Sequence, residues 1–253
     1  MEKQQTDLDT SRSYYDAFSE SYESERHHGY HAWLDRTEID LVLRHVSPSA
    51  RLLEAGCGTG LILKSLKSQS KQAFGIDLSR GMLSHARRKD LPVAQAAIHQ
   101  LPFSNATFDA VCSFKVLAHI PPIRETLLEF DRVLRPGGVL IAEFYNPFSF
   151  RGLIKRLKRP TPIADQVHDE VVYTRYDSLS QIKSYLPASM ELEAYYGIRV
   201  WTVFSQLHRI PVLSSIVRFL ENTSLSFPGL RRLGGFLVVV ARKKGGIPHG
   251  SAA

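Results

Sequence analysis

The chain has 253 residues, a formal net charge of +7 and 43% hydrophobic residues, the make-up of a globular protein able to bury a full core in one domain with an added cap. It opens on polar residues rather than a charged-then-apolar leader, and no apolar run is long enough to cross a bilayer; with only two cysteines, Cys57 and Cys112, it lacks a disulfide framework, so a cytoplasmic setting is expected. The basic excess gathers in Arg151-Gly-Leu-Ile-Lys-Arg-Leu-Lys-Arg159, Arg231-Arg232 and Arg242-Lys-Lys244 without interleaved aromatics, so no nucleic-acid partner is expected.

From the N-terminus, Tyr14-Tyr-Asp-Ala-Phe-Ser-Glu-Ser-Tyr22 leads into a histidine-rich stretch, Arg26-His-His-Gly-Tyr-His31. His27, His28 and His31 have no carboxylate or cysteine at ligand spacing, so no metal is expected and the stretch reads as a mobile lid. Trp33 to Val46 carries Leu34, Ile39, Val42, Leu43 and Val46 at helical spacing, and Ser47-Pro-Ser ends that helix. Residues 1–46 are expected to form a helical, substrate-side segment ahead of a main domain at 47–253.

The first strand, Arg51 to Ala55, runs into Gly56, Gly58 and Gly60. Glycines at that spacing let the backbone turn sharply from strand to helix and leave room for a ligand against it. A helix from about Thr59 to Lys67 buries Leu61, Ile62 and Leu66. The second strand, Ala73 to Ile76, ends in Asp77, and Ser79 caps a helix running through Met82, Leu83 and Ala86 to Arg88. A short third strand covers Val93 to Ala97, and the turn-rich Leu101 to Thr107 precedes a fourth, Phe108 to Phe114. Pro121 and Pro122 open a helix with Ile123, Leu127, Phe130 and Leu134 on its core face; Arg135-Pro-Gly-Gly138 stops it and starts a fifth strand, Val139 to Phe144.

Strand alternating with helix over this span predicts an α/β fold, a doubly wound, mostly parallel seven-stranded sheet with helical lid insertions. After Asn146 the alternation loosens. Arg151 to Arg159 suits a short basic amphipathic helix broken by Pro160-Thr-Pro162, Ser178 to Leu186 a helix, Met190 to Tyr196 a strand, and Gly235 to Arg242 a very apolar last strand. The cap insertions fall at about 146–177 and 197–234; the second carries Trp201, Val203, Phe204, Leu207, Leu213, Ile216, Val217, Phe219 and Leu220.

Four segments in order, Glu54-Ala-Gly-Cys-Gly-Thr-Gly60, Gly75-Ile-Asp-Leu-Ser79, Leu101-Pro-Phe with Phe108-Asp109, and Val133-Leu-Arg-Pro-Gly-Gly138, give the chain its resemblance to the class I S-adenosylmethionine-dependent methyltransferases. Within that class it is similar to the small-molecule branch that includes the ubiquinone-biosynthesis enzymes. The resemblance covers Leu52 to Phe144, with a weaker echo at Tyr14 to Tyr22. It implies S-adenosylmethionine as cofactor. The set implied on the cofactor side is Glu54 for the ammonium, the loop Gly56, Cys57, Gly58 and Gly60, Asp77 for the ribose hydroxyls, Leu78 and Met82 on the adenine face, and Ile98, His99 and Phe114 beside it. Met82 equally suits ordinary helix core. One departure stands out: the Asp that commonly precedes Leu-Pro-Phe by four residues is Ala97 here, which hands the adenine contact to the backbone near Ile98, or to His99 or Gln100.

On the substrate side the resemblance points to Tyr14, Tyr22, Lys115, Tyr145, Asn146 and Trp201, with His119 as a base or orienting group and Lys115 otherwise expected to face solvent. A nicotinamide-binding dehydrogenase would need glycine at position 61, which is Leu61. A base amino methyltransferase would carry an Asn/Asp-Pro-Pro-aromatic segment where this chain has Ser113-Phe-Lys-Val-Leu-Ala-His119. The expected activity is methyl transfer to an oxygen, nitrogen or carbon of a small, partly apolar acceptor, quinone-, polyketide- or lipid-like. A methyltransferase of RNA or protein, or a binding protein that retains the fold, is the alternative. The apolar 197–234 segment together with Arg151 to Arg159 also suits a peripheral contact with an anionic membrane, or a dimer.

Overall fold

The computed structural model describes residues 2–24, 26, 29–69, 72–149, 173–202, 206, 208, 210–225 and 227–245. The basic helix expected at Arg151 to Arg159, its Pro160-Thr-Pro162 break, His27, His28, Val203, Phe204 and Leu207 lie outside them. Seven strands, β1 (Leu52–Ala55), β2 (Ala73–Asp77), β3 (Val93–Gln95), β4 (Phe108–Ser113), β5 (Leu134–Tyr145), β6 (Met190–Ile198) and β7 (Phe236–Lys243), form one sheet in the order β3-β2-β1-β4-β5-β7-β6. The first five are parallel, and β7 runs antiparallel between β5 and β6.

Side-chain alternation explains why the inner strands read as continuous apolar runs. On one face Leu52, Ala110, Cys112, Ile141, Val238 and Val240 join a cluster with α2 (Gly29–His45), α3 (Leu61–Gln69) and α4 (Arg80–Arg87). On the other, Leu53, Val111, Leu140 and Val239 pack with α5 (Ile123–Val133) and α6 (Leu179–Tyr185). A strand covered on both sides has no polar face to show. The second helix begins at Gly29, earlier than its apolar spacing suggests, and Leu41 and Val42 bury in the same core as β1. The fifth strand also starts early: Leu134 pairs with Phe108 directly after α5, and the register slips before Ala110 pairs with Val139. Gly137, at φ 79°, carries the chain through that bulge.

Helix α1 (Glu2–Phe18), unannounced by any apolar run, lies across the carboxyl ends of the strands, where a doubly wound sheet presents its ligand crevice. Its docking is polar. Asp16 Oδ1 accepts hydrogen bonds from Ser79 Oγ (2.6 Å) and Gly81 N–H (2.9 Å), while Ser79 Oγ accepts from Met82 N–H (3.0 Å). A Cβ at Gly81 would come within 2.6 Å of Ser19 Oγ and 2.9 Å of the Asp16 carbonyl oxygen, so glycine is what lets the two helices meet. Just beyond α1, Lys89 pairs with Glu23 and donates to the Thr59 carbonyl (2.8 Å). Replacing Asp16 by Ala removes a carboxylate from a helix N-terminus and should cost about 1 kcal/mol. Limited proteolysis should then cut within the first two dozen residues faster than in the wild type; an unchanged cleavage rate would place the anchor of α1 elsewhere.

Candidate active site

A cavity of about 370 Å³ opens at the carboxyl ends of the strands and runs from β2 across to β7. That volume falls within the range of small-ligand sites. The glycine loop and the turn after β2 form one end. Gly56, Gly58 and Gly60 have φ of 82°, 52° and 80°, a region that disfavours residues with a Cβ. Gly56 and Cys57 N–H both donate to the Ile76 carbonyl at 2.8 Å, so β2 holds the loop. Asp77 accepts from Gly58 N–H at 2.8 Å through Oδ2 and from Ser79 N–H at 2.9 Å through Oδ1. Burial raises the Asp77 carboxyl from its ordinary value, and those N–H groups favour the ionised form against it.

Gly56, Gly58, Asp77, Leu78, Met82, Ile98, His99 and Phe114 all line this end. The other loop residues do different work. A Cβ at Gly60 would stand 2.3 Å from Leu91 Cδ1, so this glycine permits close packing under α4 and does not line the cavity. Cys57 turns its thiol towards Gly75, whose added Cβ would lie 2.7 Å from Sγ; burial pushes that thiol well up, and it too stays off the wall. Glu54 lies beneath the loop, 3% exposed, rather than on the wall. Its Oε2 is buried without a hydrogen-bond partner among the described residues, and burial raises its carboxyl well above the usual range. His99 Nδ1 is likewise buried and unpartnered.

Aromatic side chains form the opposite end. Ser11, Tyr14, Tyr15, Phe18 and Tyr22 line the cavity from α1 and the turn that follows. Tyr14 and Tyr22 were expected on this side; the spacing of three, four, seven and eleven residues from Ser11 is a helical stripe, the signal in the sequence that would have added Ser11, Tyr15 and Phe18. His119, on a 3₁₀ turn after β4, stands edge-on to Tyr15 and Tyr145 with centroids 6.4 and 5.7 Å away, and Tyr145 leans on Phe236 at 5.1 Å. Its Nδ1 lies 3.0 Å from the Tyr173 carbonyl oxygen, an acceptor. In the neutral imidazole, donation there leaves Nε2 as the nitrogen able to take a proton. Burial raises Tyr15 and Tyr145 and pushes Tyr30 up to about 12, so these phenols stay protonated at neutral pH.

Lys115 lines the cavity, as expected of the substrate side, but its exposure and the places of Asn146 and Trp201 need correction. Lys115 does not face solvent: its Nζ donates to Asp35 Oδ1 (2.9 Å) and Glu38 Oε2 (2.6 Å), and its N–H to Glu143 Oε1 (3.2 Å). Left-handed backbone at Lys115, φ 59°, turns the chain inward after β4. Asn146 is off the cavity, its Nδ2 donating to the carbonyls of Arg232 and Gly234, both at 2.8 Å, which ties the end of β5 to the turn before β7. Trp201 is 37% exposed, donates to Ser224 Oγ at 2.7 Å and does not line the cavity; Arg199, two residues earlier, does. Arg26, Tyr30, His31 and Phe236 are further wall residues that no motif marked.

Residues 53–142 match the methyltransferase domain family. That segment, from β1 into β5, is therefore similar to methyltransferase domains. It is 34% identical over 118 residues to a malonyl-[acyl-carrier protein] O-methyltransferase of Enterobacter lignolyticus, covering 45% of this chain and 47% of that protein. To a demethylmenaquinone methyltransferase of Corynebacterium urealyticum it is 36% identical over 116 residues, covering 46% and 49%. The chain thus spans about half the length of these curated relatives. Among solved structures, a possible histamine N-methyltransferase of Thermotoga maritima superposes with a TM-score of 0.65 at 21% identity, over 91% of this chain and 98% of that one, which shows a shared fold. The matched segment ends in β5, so α1, α2, Arg199 after β6, and β7, which help wall the aromatic half of the cavity, lie outside it.

The matched segment is clamped to α2 through Lys115. Burial works to raise Asp35, but Lys115 and Arg26 outweigh it and hold its carboxyl below the ordinary value; burial raises Glu38. Lys115→Met leaves buried Glu38 without its cation and Asp35 with Arg26 alone, and should destabilise the protein by roughly 3–5 kcal/mol at neutral pH, read from the denaturant midpoint. A depressed Asp35 contributes stability above its unfolded pKa and loses it as pH falls through the folded value. The gap between wild type and variant should therefore narrow on acidification, and a pH-independent gap would contradict this role.

Proposed function

We propose that the protein transfers a methyl group from S-adenosylmethionine to an oxygen, nitrogen or carbon of a small, partly apolar acceptor. The observation that carries this reading is one continuous cavity, with the glycine loop and Asp77 at one end and an aromatic wall at the other. S-adenosylmethionine supplies a methyl group already activated on a cationic sulfur. The residues present fit it: Asp77 offers its remaining lone pairs for the ribose hydroxyls, Leu78, Met82 and Ile98 an apolar bed for the adenine, and Glu54, beneath the loop, an orphaned buried carboxyl oxygen suited to the ammonium through a bridging water. His99 Nδ1, buried beside that bed, takes up the adenine contact in place of the missing Asp.

The chain's remaining task is to orient the acceptor, keep water out and accept a proton where the nucleophile holds one. α1 covers the cavity, and His119 is suited to the proton through Nε2. Relatives named for malonyl-[acyl-carrier protein] and demethylmenaquinone support a quinone-, polyketide- or lipid-like acceptor. Calorimetry should show saturable binding of S-adenosylmethionine and S-adenosylhomocysteine. Asp77→Ala should weaken both by roughly 1–3 kcal/mol. Absence of binding to the wild type would sink the donor reading, and an unchanged affinity in the variant would remove Asp77 from it. A labelled-methyl screen over hydroxylated quinones and acyl thioesters then identifies the acceptor.

A peripheral membrane contact belongs to the same reading. Helix α7 (Pro211–Ser224) exposes Val212, Ile216 and Phe219 at helical spacing on one face. The protein should float with vesicles containing phosphatidylglycerol, and Phe219→Glu should reduce the floated fraction severalfold. No flotation of the wild type would rule the contact out.

A further inference from the structure

Arg199 stands out among the cations of the cavity wall. Arg26 pairs with Asp35, Lys115 with Asp35 and Glu38, and Arg12 with Asp9. Among the described residues no carboxylate lies within ion-pair distance of Arg199. Its guanidinium rests on aromatic faces instead, with Cζ 4.8 Å from the Tyr30 centroid and 5.8 Å from that of Phe236. Among the described residues only its Nε is engaged, at 3.2 Å from the Thr202 carbonyl oxygen. The planar fork of the two Nη groups suits two parallel hydrogen bonds to an anion.

The backbone is built to hold this side chain in place. Arg199 has φ 65°, a conformation that disfavours residues other than glycine, and such strain persists only where the surroundings impose it. Gly235 N–H donates to the Arg199 carbonyl at 3.1 Å. Glu221 of α7, 2% exposed, accepts from the N–H groups of Val200, Trp201 and Thr202 at 3.0, 3.0 and 2.8 Å. One carboxylate from the cap thus fixes the turn that carries Arg199. Beside it, Tyr30 is 6% exposed with a hydroxyl that has no hydrogen-bond partner among the described residues.

We propose that Arg199, over Tyr30 and Phe236, binds the carboxylate of an aromatic acid, and that the acceptor is an aromatic acid or a close relative carrying an anion beside a flat ring. The proposal rests on the methyl-transfer reading only in assigning this half of the cavity to the acceptor. Position separates it from the donor: β6 lies four strands from β1, roughly 19 Å at the usual spacing, while Asp77 and the glycine loop occupy the other end. The aromatic walls, Tyr145 against Phe236 and Tyr30 against the guanidinium, supply flat apolar faces for the ring.

The test compares 2-naphthoate with its uncharged counterpart 2-naphthamide, by calorimetry on the full chain, with and without saturating S-adenosylhomocysteine. Wild type should bind the naphthoate about tenfold more tightly than the amide, the size of effect expected of a charge-assisted pair. Arg199→Asn keeps the left-handed backbone, which Asn tolerates, and should abolish the preference; Arg199→Lys should retain part of it. Affinity for S-adenosylhomocysteine should be unchanged in both variants. Naphthoate bound no more tightly than the amide, or not at all, would overturn the proposal, as would a preference that survives in Arg199→Asn. If S-adenosylhomocysteine fails to bind while the naphthoate preference still follows Arg199, the donor reading falls and the anion site stands.

Discussion

An ammonium group taken out of water on its own loses several kcal/mol of hydration, and so does each carboxylate buried beside it. Around Lys115 these losses offset one another: its Nζ reaches Asp35 and Glu38 on α2, and its N–H reaches Glu143 on β5. Arg26 adds a second cation to Asp35 and extends the chain of contacts to the Tyr22 hydroxyl at 2.9 Å. Helix α2 and the turn after α1 are thereby tied to the ends of β4 and β5, while α1 itself is held by Asp16 on Ser79 and Gly81. Polar contacts are suited to this role because their geometry is directional, whereas apolar packing of α2 alone would leave its position along the sheet loosely specified.

The two halves of the cavity are built on different principles. At the glycine loop the recognising groups are largely backbone, held by β2 through the Ile76 carbonyl and by Asp77, and their positions follow from strand order and right-handed crossovers. At the other end the groups are side chains from α1, α2, the turns after β4 and β6, and strands β5 and β7. Their register depends on the reversal of β7, which lets β6 return beside it and bring Arg199 to the same edge. The cap helix α7 then acts at a distance: Glu221 contributes to the turn that sets Arg199, while the apolar face of the helix remains exposed.

Much of the first half was legible in the residues. The three glycines, Asp77 at the end of β2 and Ser79 as N-cap mark features that must occur at set points along the chain, and each lies where its spacing implied. The motif did not separate the jobs within the loop: Gly56 and Gly58 line the cavity, whereas Gly60 serves contact with Leu91 and Cys57 packs beneath Gly75. Lys115 was misread because a lone lysine after a strand carries no local mark of burial; its partners lie 80 and 77 residues away. Trp201 drew attention by size, yet Arg199 occupies the wall, since a left-handed backbone at a non-glycine residue leaves no trace in composition.

Local rules therefore decided the order of strands and helices, the ligand loop and the caps, because turns, periodicity and capping act over a few residues and are written into neighbouring positions. Only the folded chain decided which charges meet, which tyrosines face one another and which cation keeps its hydrogen bonds for a ligand. Those contacts join elements far apart in sequence, and the energy of a buried charge depends on what surrounds it in space rather than on what precedes it in the chain.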